Sequence, residues 1–372
     1  MIPYEFEIKN IISQRGIPVE PHCIISSENL DSLESCLDSF PPPYVVKAQV
    51  RGWGRAKAGL IGFADNAGEA RRLVHEYLSR SFNGKPVRYV IVSKRMSVQR
   101  ELYLSMMIEY SPPGILLLAA REGGIDVESQ ASSGELLRIR IDPFEGLRAY
   151  MVRRTATFLG IPHESAQVIL GAMFSTLWDY NLHLLELNPL AVTEEGIFAL
   201  DSKAIVDDDA LDMNPLLSEI KKRYEAELEP EEAVAKKAGF SLVLLNGDTA
   251  VIGNGAGLTM ATLDAVVSLG AKPGLFLDLG GGASSERVKT ALGIVLEKSS
   301  IKRILVNILG GITRCDEVAT GALEALRNSK RNDVKVVFRL SGFKEEEGRR
   351  ILSEAGIPAY REFHEALKEV VR

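Results

Sequence analysis

A rhythm in the last third of this chain limits its fold more than any other feature. Four short apolar runs, "TAVIGNGAGL" (249–258), "GLFLDLGGGAS" (274–284), "RILVNILGGITR" (303–314) and "VKVVFRLSGF" (334–343), each end in glycine and lead into a helical pattern. Strand, glycine loop and helix in succession argue a parallel sheet with the helices returning over its faces, a doubly wound α/β domain. In such sheets ligands sit beyond the carboxyl ends of the strands, where these loops fall.

Residues 1 to about 225 read differently. Strand-like runs such as "YVVKAQV" (44–50), "VRYVIVSK" (87–94) and "ELYLSMMIEY" (101–110) alternate with longer helical stretches, an α+β layout with hairpins. Between the two regions, "SEIKKRYEAELEPEEAVAKKAGF" (218–240) gains charge and loses apolar residues. We therefore expect a first domain over 1–225, a linker over 226–240 and a second domain over 241–372. A chain of 372 residues, 46% of them hydrophobic, has room for two cores.

Net charge is −6, with acids and bases interspersed. Neither nucleic acid nor an anionic membrane is suggested as a main partner, and no run of about 18 apolar residues could span a bilayer. The N-terminal "MIPYEFEIKNIISQRGIPV" has early acids and a helical pattern without the marks of a signal peptide. Cys23, Cys36 and Cys315 show neither a CxxC spacing nor an even number, so neither structural zinc nor a disulfide is indicated. A reducing, cytoplasmic setting is the expectation.

Two stretches of the first region carry polar residues that need explaining. In "LLELNPLAV" (184–192), strand alternation points Leu184, Glu186 and Asn188 to one face and Leu185 and Leu187 to the other. "TEEG" (193–196) is a plausible turn and "IFALDSK" (197–203) a second strand. If the turn pairs Thr193 with Gly196, Asn188 falls opposite Asp201 and Glu186 opposite Lys203. Those hard oxygen donors suit Mg²⁺, which takes one or two protein groups and completes its shell with water and phosphate. A hairpin edge with solvated polar residues is the alternative. The second stretch is "VVKAQVRGWGRAKAG" (45–59). Lys47 shares a face with Val45 and Gln49, and the loop beyond it carries Arg51, Gly54, Arg55 and Lys57. Glycines let backbone N–H groups approach an anion that the cations neutralise. The order is not that of a Walker A loop, and an exposed basic loop is the alternative.

In the second region, "GNGAGL" (253–258) has nearly the rhythm of a dinucleotide fingerprint, with Asp278 ending the next strand. Its spacing is G-x-G-x-G, with the last glycine one residue early, so NAD is a minor reading. "LGGITRCD" (309–316) ends a strand at Gly310 and Gly311 and starts a helix, whose N-terminus suits a carboxylate or phosphate. The five histidines, His22, His75, His163, His183 and His364, stand in no glycine-rich loop.

Together, "VVKAQV", "GRAKAG", "RELYLS", "LLELNPLAV", "LDSK", "GNGAGLTMATLD", "FLDLGGGAS" and "NILGGITRCD" resemble, in order and over essentially the whole chain, the β subunits of succinyl-CoA synthetases. The β subunits of malate–CoA ligases and the N-terminal region of ATP-citrate lyase share much of this pattern. The resemblance implies an ATP-grasp domain followed by a flavodoxin-like CoA-ligase domain. It also implies an α subunit that binds CoA and carries a phosphorylated histidine. ATP or ADP with Mg²⁺ would be the cofactors, and succinate would pass through succinyl phosphate to succinyl-CoA. Carried over by motif, Lys47, Gly54, Arg55, Ala56, Ser93, Met96 and Glu101 would bind nucleotide, and Asn188 and Asp201 would bind Mg²⁺. Glu186 would face the phosphohistidine, and Asn254, Gly311, Ile312 and Thr313 would hold succinate. Three departures stand out. Ala56 and Leu60 replace glycines of the phosphate loop, Ser93 replaces an acid at the adenine pocket, and Ser202 follows Asp201 where glycine is usual. If position 56 needs a positive φ, alanine strains the loop by about 1 kcal/mol or more.

Overall fold

Tyr44–Gln49 lies inside a four-stranded antiparallel sheet ordered His22–Ser26, Tyr89–Lys94, Tyr44–Gln49, Ile61–Ala64. The computed structural model describes residues 1–52, 54–82, 84–124 and 136–372. One face of this sheet buries Val46, Ala48, Val90 and Val92 beneath the helices Leu33–Asp38 and Ala67–Leu78. Cys23 on the first strand and Cys36 on the first of these helices form a disulfide, with Cα atoms 6.0 Å apart. This corrects the reading from cysteine spacing: tertiary packing, which a count of cysteines does not register, brings the pair within bonding reach.

A second antiparallel sheet is ordered Gly196–Ala199, Leu182–Thr193, Val98–Tyr110, Pro113–Ala120, Leu136–Ile141, and Ser202–Val206 also pairs with Leu182–Thr193. Its apolar face, with Leu104, Leu117, Leu185 and Leu187, packs against Glu5–Gln14, Ala149–Leu159 and His163–Asp179 through Ile8, Ile12, Val152 and Leu170. Both sheets belong to one compact unit, Met1–Arg223; a second unit comprises Tyr224–Arg372.

The second unit is built on a sheet ordered Ser241–Leu244, Pro273–Asp278, Thr249–Gly253, Arg303–Gly310, Lys335–Gly342, Ala359–Tyr360. Only Ser241–Leu244 pairs antiparallel; the rest are parallel. Val251, Leu305 and Val337 face Ala256–Ser268 and Phe363–Val371, while Ile252, Val306 and Phe338 face Ser285–Glu297, Cys315–Asn328 and Glu345–Glu354. Helices on both faces satisfy the near-continuous apolar character of these strands. The segment 226–240 includes the helix Pro230–Lys237, whose Ala235 is buried in this core. From Thr249–Gly253 the chain steps to one neighbour and then crosses to the other. The switch point therefore lies between Thr249–Gly253 and Arg303–Gly310.

Candidate functional site

The hairpin after Leu182 has the register that alternation requires. Thr193 pairs with Gly196, Leu190 with Ala199, Leu187 with Ser202 and Glu186 with Lys203. The Asn188 N–H donates to the Asp201 carbonyl at 3.1 Å, and the Leu200 N–H to the Pro189 carbonyl at 3.1 Å. Leu185 and Leu187 are fully buried, while Glu186 and Asn188 are half-buried on the opposite face. The Asn188 Nδ2 donates to Glu186 Oε1 at 3.3 Å, and Asn188 Oδ1 accepts from the Gly124 N–H at 2.6 Å. Asp201 Oδ2 accepts from Arg55 Nη2 at 2.6 Å, whereas Asp201 Oδ1 is buried with no hydrogen-bond partner.

That orphaned carboxylate oxygen tests whether a cation fits. A buried acceptor without a donor is costly, and a divalent ion satisfies it. With the Asn188 amide oxygen on a residue lining the same cleft, the donor set is the hard-oxygen kind that Mg²⁺ accepts. Among the described residues no group of three or more His, Cys, Asp or Glu clusters as a self-sufficient metal cage. A cation here takes the rest of its shell from water or a phosphate-bearing ligand. Burial raises the Glu186 carboxyl above its ordinary range, and the Asp201 charge adds to this against Lys203 and the Asn188 hydrogen bond.

The basic loop folds as a single helical turn. Ala58 N–H donates to Gly54 at 3.0 Å, Gly59 N–H to Ala56 at 3.1 Å and Leu60 N–H to Arg55 at 3.2 Å. Gly59, at φ +65°, closes the turn in the left-handed conformation. Among the described residues only Asn181 and Lys344 are non-glycines with positive φ, so Ala56 sits without the strain considered above. Leu60 is buried among the side chains of the first sheet. Both departures from the glycine-rich pattern are thereby accommodated.

A cleft of about 780 Å³ brings Gly54, Arg55 and Ala56 from this loop together with Asn188 and Asp201 from the hairpin. Gly124 and Lys203 also line it. Lys47, predicted to bind phosphate, is buried outside the cleft lining, its Nζ donating to the Leu200 carbonyl and lying 3.0 Å from Glu5 Oε1, a residue that does line the cleft. Of the other predicted nucleotide residues, Ser93 and Met96 lie outside its lining, while the Glu101 carboxylate stands beside Gly124. Ser93 is buried, its hydroxyl donating to the Val45 carbonyl at 3.4 Å, and Met96 is buried as well. Glu101 is exposed on Val98–Tyr110, opposite Ala191.

Under the cleft lies an ionic network that the sequence reading missed. Lys9 is fully buried and contacts Glu5 Oε1 at 2.8 Å, Glu20, and the Leu200 carbonyl at 3.0 Å. Glu5 also receives Arg55 Nη1, and Gln49 Nε2 at 3.2 Å. Burial alone would neutralise the Glu5 carboxyl, but Arg55, Lys47 and Lys9 hold it well below its ordinary value. Burial likewise opposes the Lys47 ammonium, which Glu5, Glu20 and Asp201 keep charged by raising its pKa. The available signal was the Glu5/Lys9 spacing of four in a helix whose neighbours Ile8, Ile11 and Ile12 are apolar.

In the second unit the predicted substrate residues meet at the switch point. Asn254 Oδ1 accepts from the Leu309 N–H at 3.0 Å; its Nδ2 donates to the Leu309 carbonyl at 2.9 Å and to Thr313 Oγ1 at 3.3 Å. The amide thus ties the two strand ends together. Gly311 and Ile312 lie between, and Ile312 is 90% exposed. Asp278 Oδ1 accepts from the Gly255 N–H at 2.6 Å and the Gly280 N–H at 2.9 Å. It fastens two loops, a use different from the ribose contact a dinucleotide site needs.

Comparison with known proteins decides the family. Residues 3–192 match the ATP-grasp domain model and residues 252–371 the CoA-ligase model. The chain is 40% identical to the succinate–CoA ligase (ADP-forming) subunit beta of Pyrobaculum calidifontis, over 99% of this chain and 98% of that one. It belongs to the succinate–CoA ligase β-subunit family. The same-named subunit of Methanocaldococcus jannaschii is 37% identical, again over 99% and 98% of the two chains. Among solved structures, ATP citrate lyase from Methanothrix soehngenii, in complex with citrate and coenzyme A, superposes with a TM-score of 0.70. That match covers 97% of this chain and 96% of the other at 18% identity, so it speaks for a shared fold alone. The two halves of this family member are therefore an ATP-grasp domain and a CoA-ligase domain.

Proposed function

We propose that this chain is the nucleotide-binding subunit of a cytoplasmic, ADP-forming succinate–CoA ligase. Succinate, CoA and ATP are converted reversibly to succinyl-CoA, ADP and phosphate, with an α subunit that binds CoA and carries the phosphorylated histidine. The observation that carries this reading is the meeting of Arg55 with Asn188 and Asp201 across one cleft in a member of this family. Phosphate needs cations and N–H donors, and its magnesium needs hard oxygens; the cleft offers both.

In this reading Lys47, Arg55 and the turn at Gly54 and Ala56 neutralise and seat the phosphates, and Asn188 and Asp201 hold Mg²⁺. When bound, the cation supplies charge neutralisation at the phosphate oxygens. Glu186, held beside Asn188, faces the histidine that brings or removes the phosphoryl group. Asn254 and the Gly311, Ile312 and Thr313 segment bind succinate carboxylate at a helix N-terminus. The need for a partner histidine is supported by the placement of this chain's own histidines. His22 and His183 are on strands, and His75, His163 and His364 are on helices.

The test is a thioester assay of the chain reconstituted with its α subunit, using ATP and GTP against a panel of dicarboxylates that includes succinate and malate. Succinyl-CoA formation with ATP is the expected result; silence with every acid and nucleotide rejects the ligase reading. Asp201→Ala should weaken Mg²⁺-dependent nucleotide binding by about a hundredfold while leaving the circular dichroism spectrum unchanged.

A further inference from the structure

Arg55 is held by two carboxylates of different standing. Glu5, whose side chain is 3% exposed, receives Arg55, Lys47 at 3.0 Å, Lys9 at 2.8 Å and the Gln49 amide at 3.2 Å. It is saturated and belongs to the network beneath the cleft. Asp201, in the cleft wall, receives Arg55 Nη2 at 2.6 Å on one oxygen while its other oxygen is buried without a partner. One guanidinium therefore bridges a permanent anion and a half-satisfied one. The half-satisfied one is the carboxylate assigned above to the cation.

We propose that Arg55 is the resident counter-ion of the metal site, neutralising Asp201 until a divalent cation arrives with its nucleotide, and that Glu5 is the positioning residue that keeps the displaced guanidinium in the cleft. This rests on the reading of the cleft as a magnesium–nucleotide site. A guanidinium and a divalent ion repel and compete for the same carboxylate. A metal arriving alone at the free Oδ1 of Asp201 is opposed by the charge of Nη2 on Oδ2. A metal arriving with nucleotide brings phosphate oxygens to receive Nη2. Throughout the exchange Nη1 stays on Glu5, so Arg55 turns about a fixed end. Metal and nucleotide therefore bind synergistically, each weakly alone.

Mn²⁺, followed by electron paramagnetic resonance, is the probe, used on the full chain in its α/β complex. Without nucleotide, Arg55→Met should bind Mn²⁺ at least about tenfold more tightly than wild type, because Asp201 is released from its charge-assisted bond. Unchanged or weaker Mn²⁺ binding in Arg55→Met overturns the proposal. With ADP present, Glu5→Gln should raise the Mn²⁺ concentration for half-maximal nucleotide binding by about tenfold, since Arg55 and Lys47 then lean on Asp201. Glu5→Asp should restore part of that shift. A purely structural Glu5 would lower the melting temperature without moving the Mn²⁺ midpoint, and that result removes its positioning role. Should Glu5→Gln fail to fold, the Arg55→Met measurement decides. An active wild type with unaltered Mn²⁺ binding in Arg55→Met rejects this inference alone. A wild type that binds Mn²⁺ and ADP synergistically yet makes no thioester with any acid rejects the ligase reading and retains the exchange.

Discussion

Glu186 is a half-buried carboxyl beside the Asp201 carboxylate, and its proton affinity is raised first by burial and then by that neighbouring charge. The folded chain consequently holds a proton that the unfolded chain releases. Stability is greatest below the ordinary carboxyl range and falls as pH rises through that range toward the raised value. Glu186→Gln should flatten the decline, measured as unfolding free energy between about pH 4 and 7. Glu7, also raised by burial, should leave a residual slope in the variant. An unchanged profile would mean that Glu186 is as solvated as an ordinary surface acid. Glu186 and Asn188 were legible as a functional pair because a period of two places polar groups on one face of a strand whose other face is apolar. Glu5, Lys9 and Glu20 were not. Glu5 meets Gln49, Arg55 and Lys47 only after helix and sheet pack, so no local pattern announces those contacts.

At the level of elements, glycine loops were readable, but the reason for each glycine was not. A Cβ at Gly342, where φ is +114°, would stand 2.0 Å from the Gly310 carbonyl oxygen on the adjacent strand. A Cβ at Gly311 would meet nothing within 4 Å. Gly342→Ala should therefore cost about 2 kcal/mol or more in denaturant unfolding. Gly311→Ala should leave stability within about 0.5 kcal/mol of wild type and, if the loop seats succinate, raise the KM for succinate alone. Equal destabilisation by both would contradict this steric distinction. The hairpin register was legible from the turn residues and the alternation. The Cys23–Cys36 bond was not, since its two ends are drawn together by helix-on-sheet packing.

For the molecule as a whole, the change from hairpin-bearing to doubly wound patterning was visible in composition and glycine rhythm, and the family in motifs spread over the full length. The predicted site residues fared unevenly: Gly54, Arg55, Asn188 and Asp201, which local pattern had also selected, share a cleft, while Lys47 and, implied only by that likeness, Ser93 and Met96 are buried outside its lining. A division of labour between the units makes its own prediction. Arg314, bonded to Asp316 at 2.6 Å beside the Gly311 loop, belongs to the second unit. Arg314→Ala should reduce thioester formation or α-subunit engagement while leaving the ATP dissociation constant within about twofold of wild type. A loss of ATP affinity first would contradict that division. Within the first unit, the cleft is lined from two antiparallel sheets, two plates each with its own apolar core. Substitutions on the first plate can thus reshape the wall a nucleobase would meet without touching the Asn188 amide and the Asp201 carboxylate on the other. A mutational library spread over both plates should recover altered base preference only from the first.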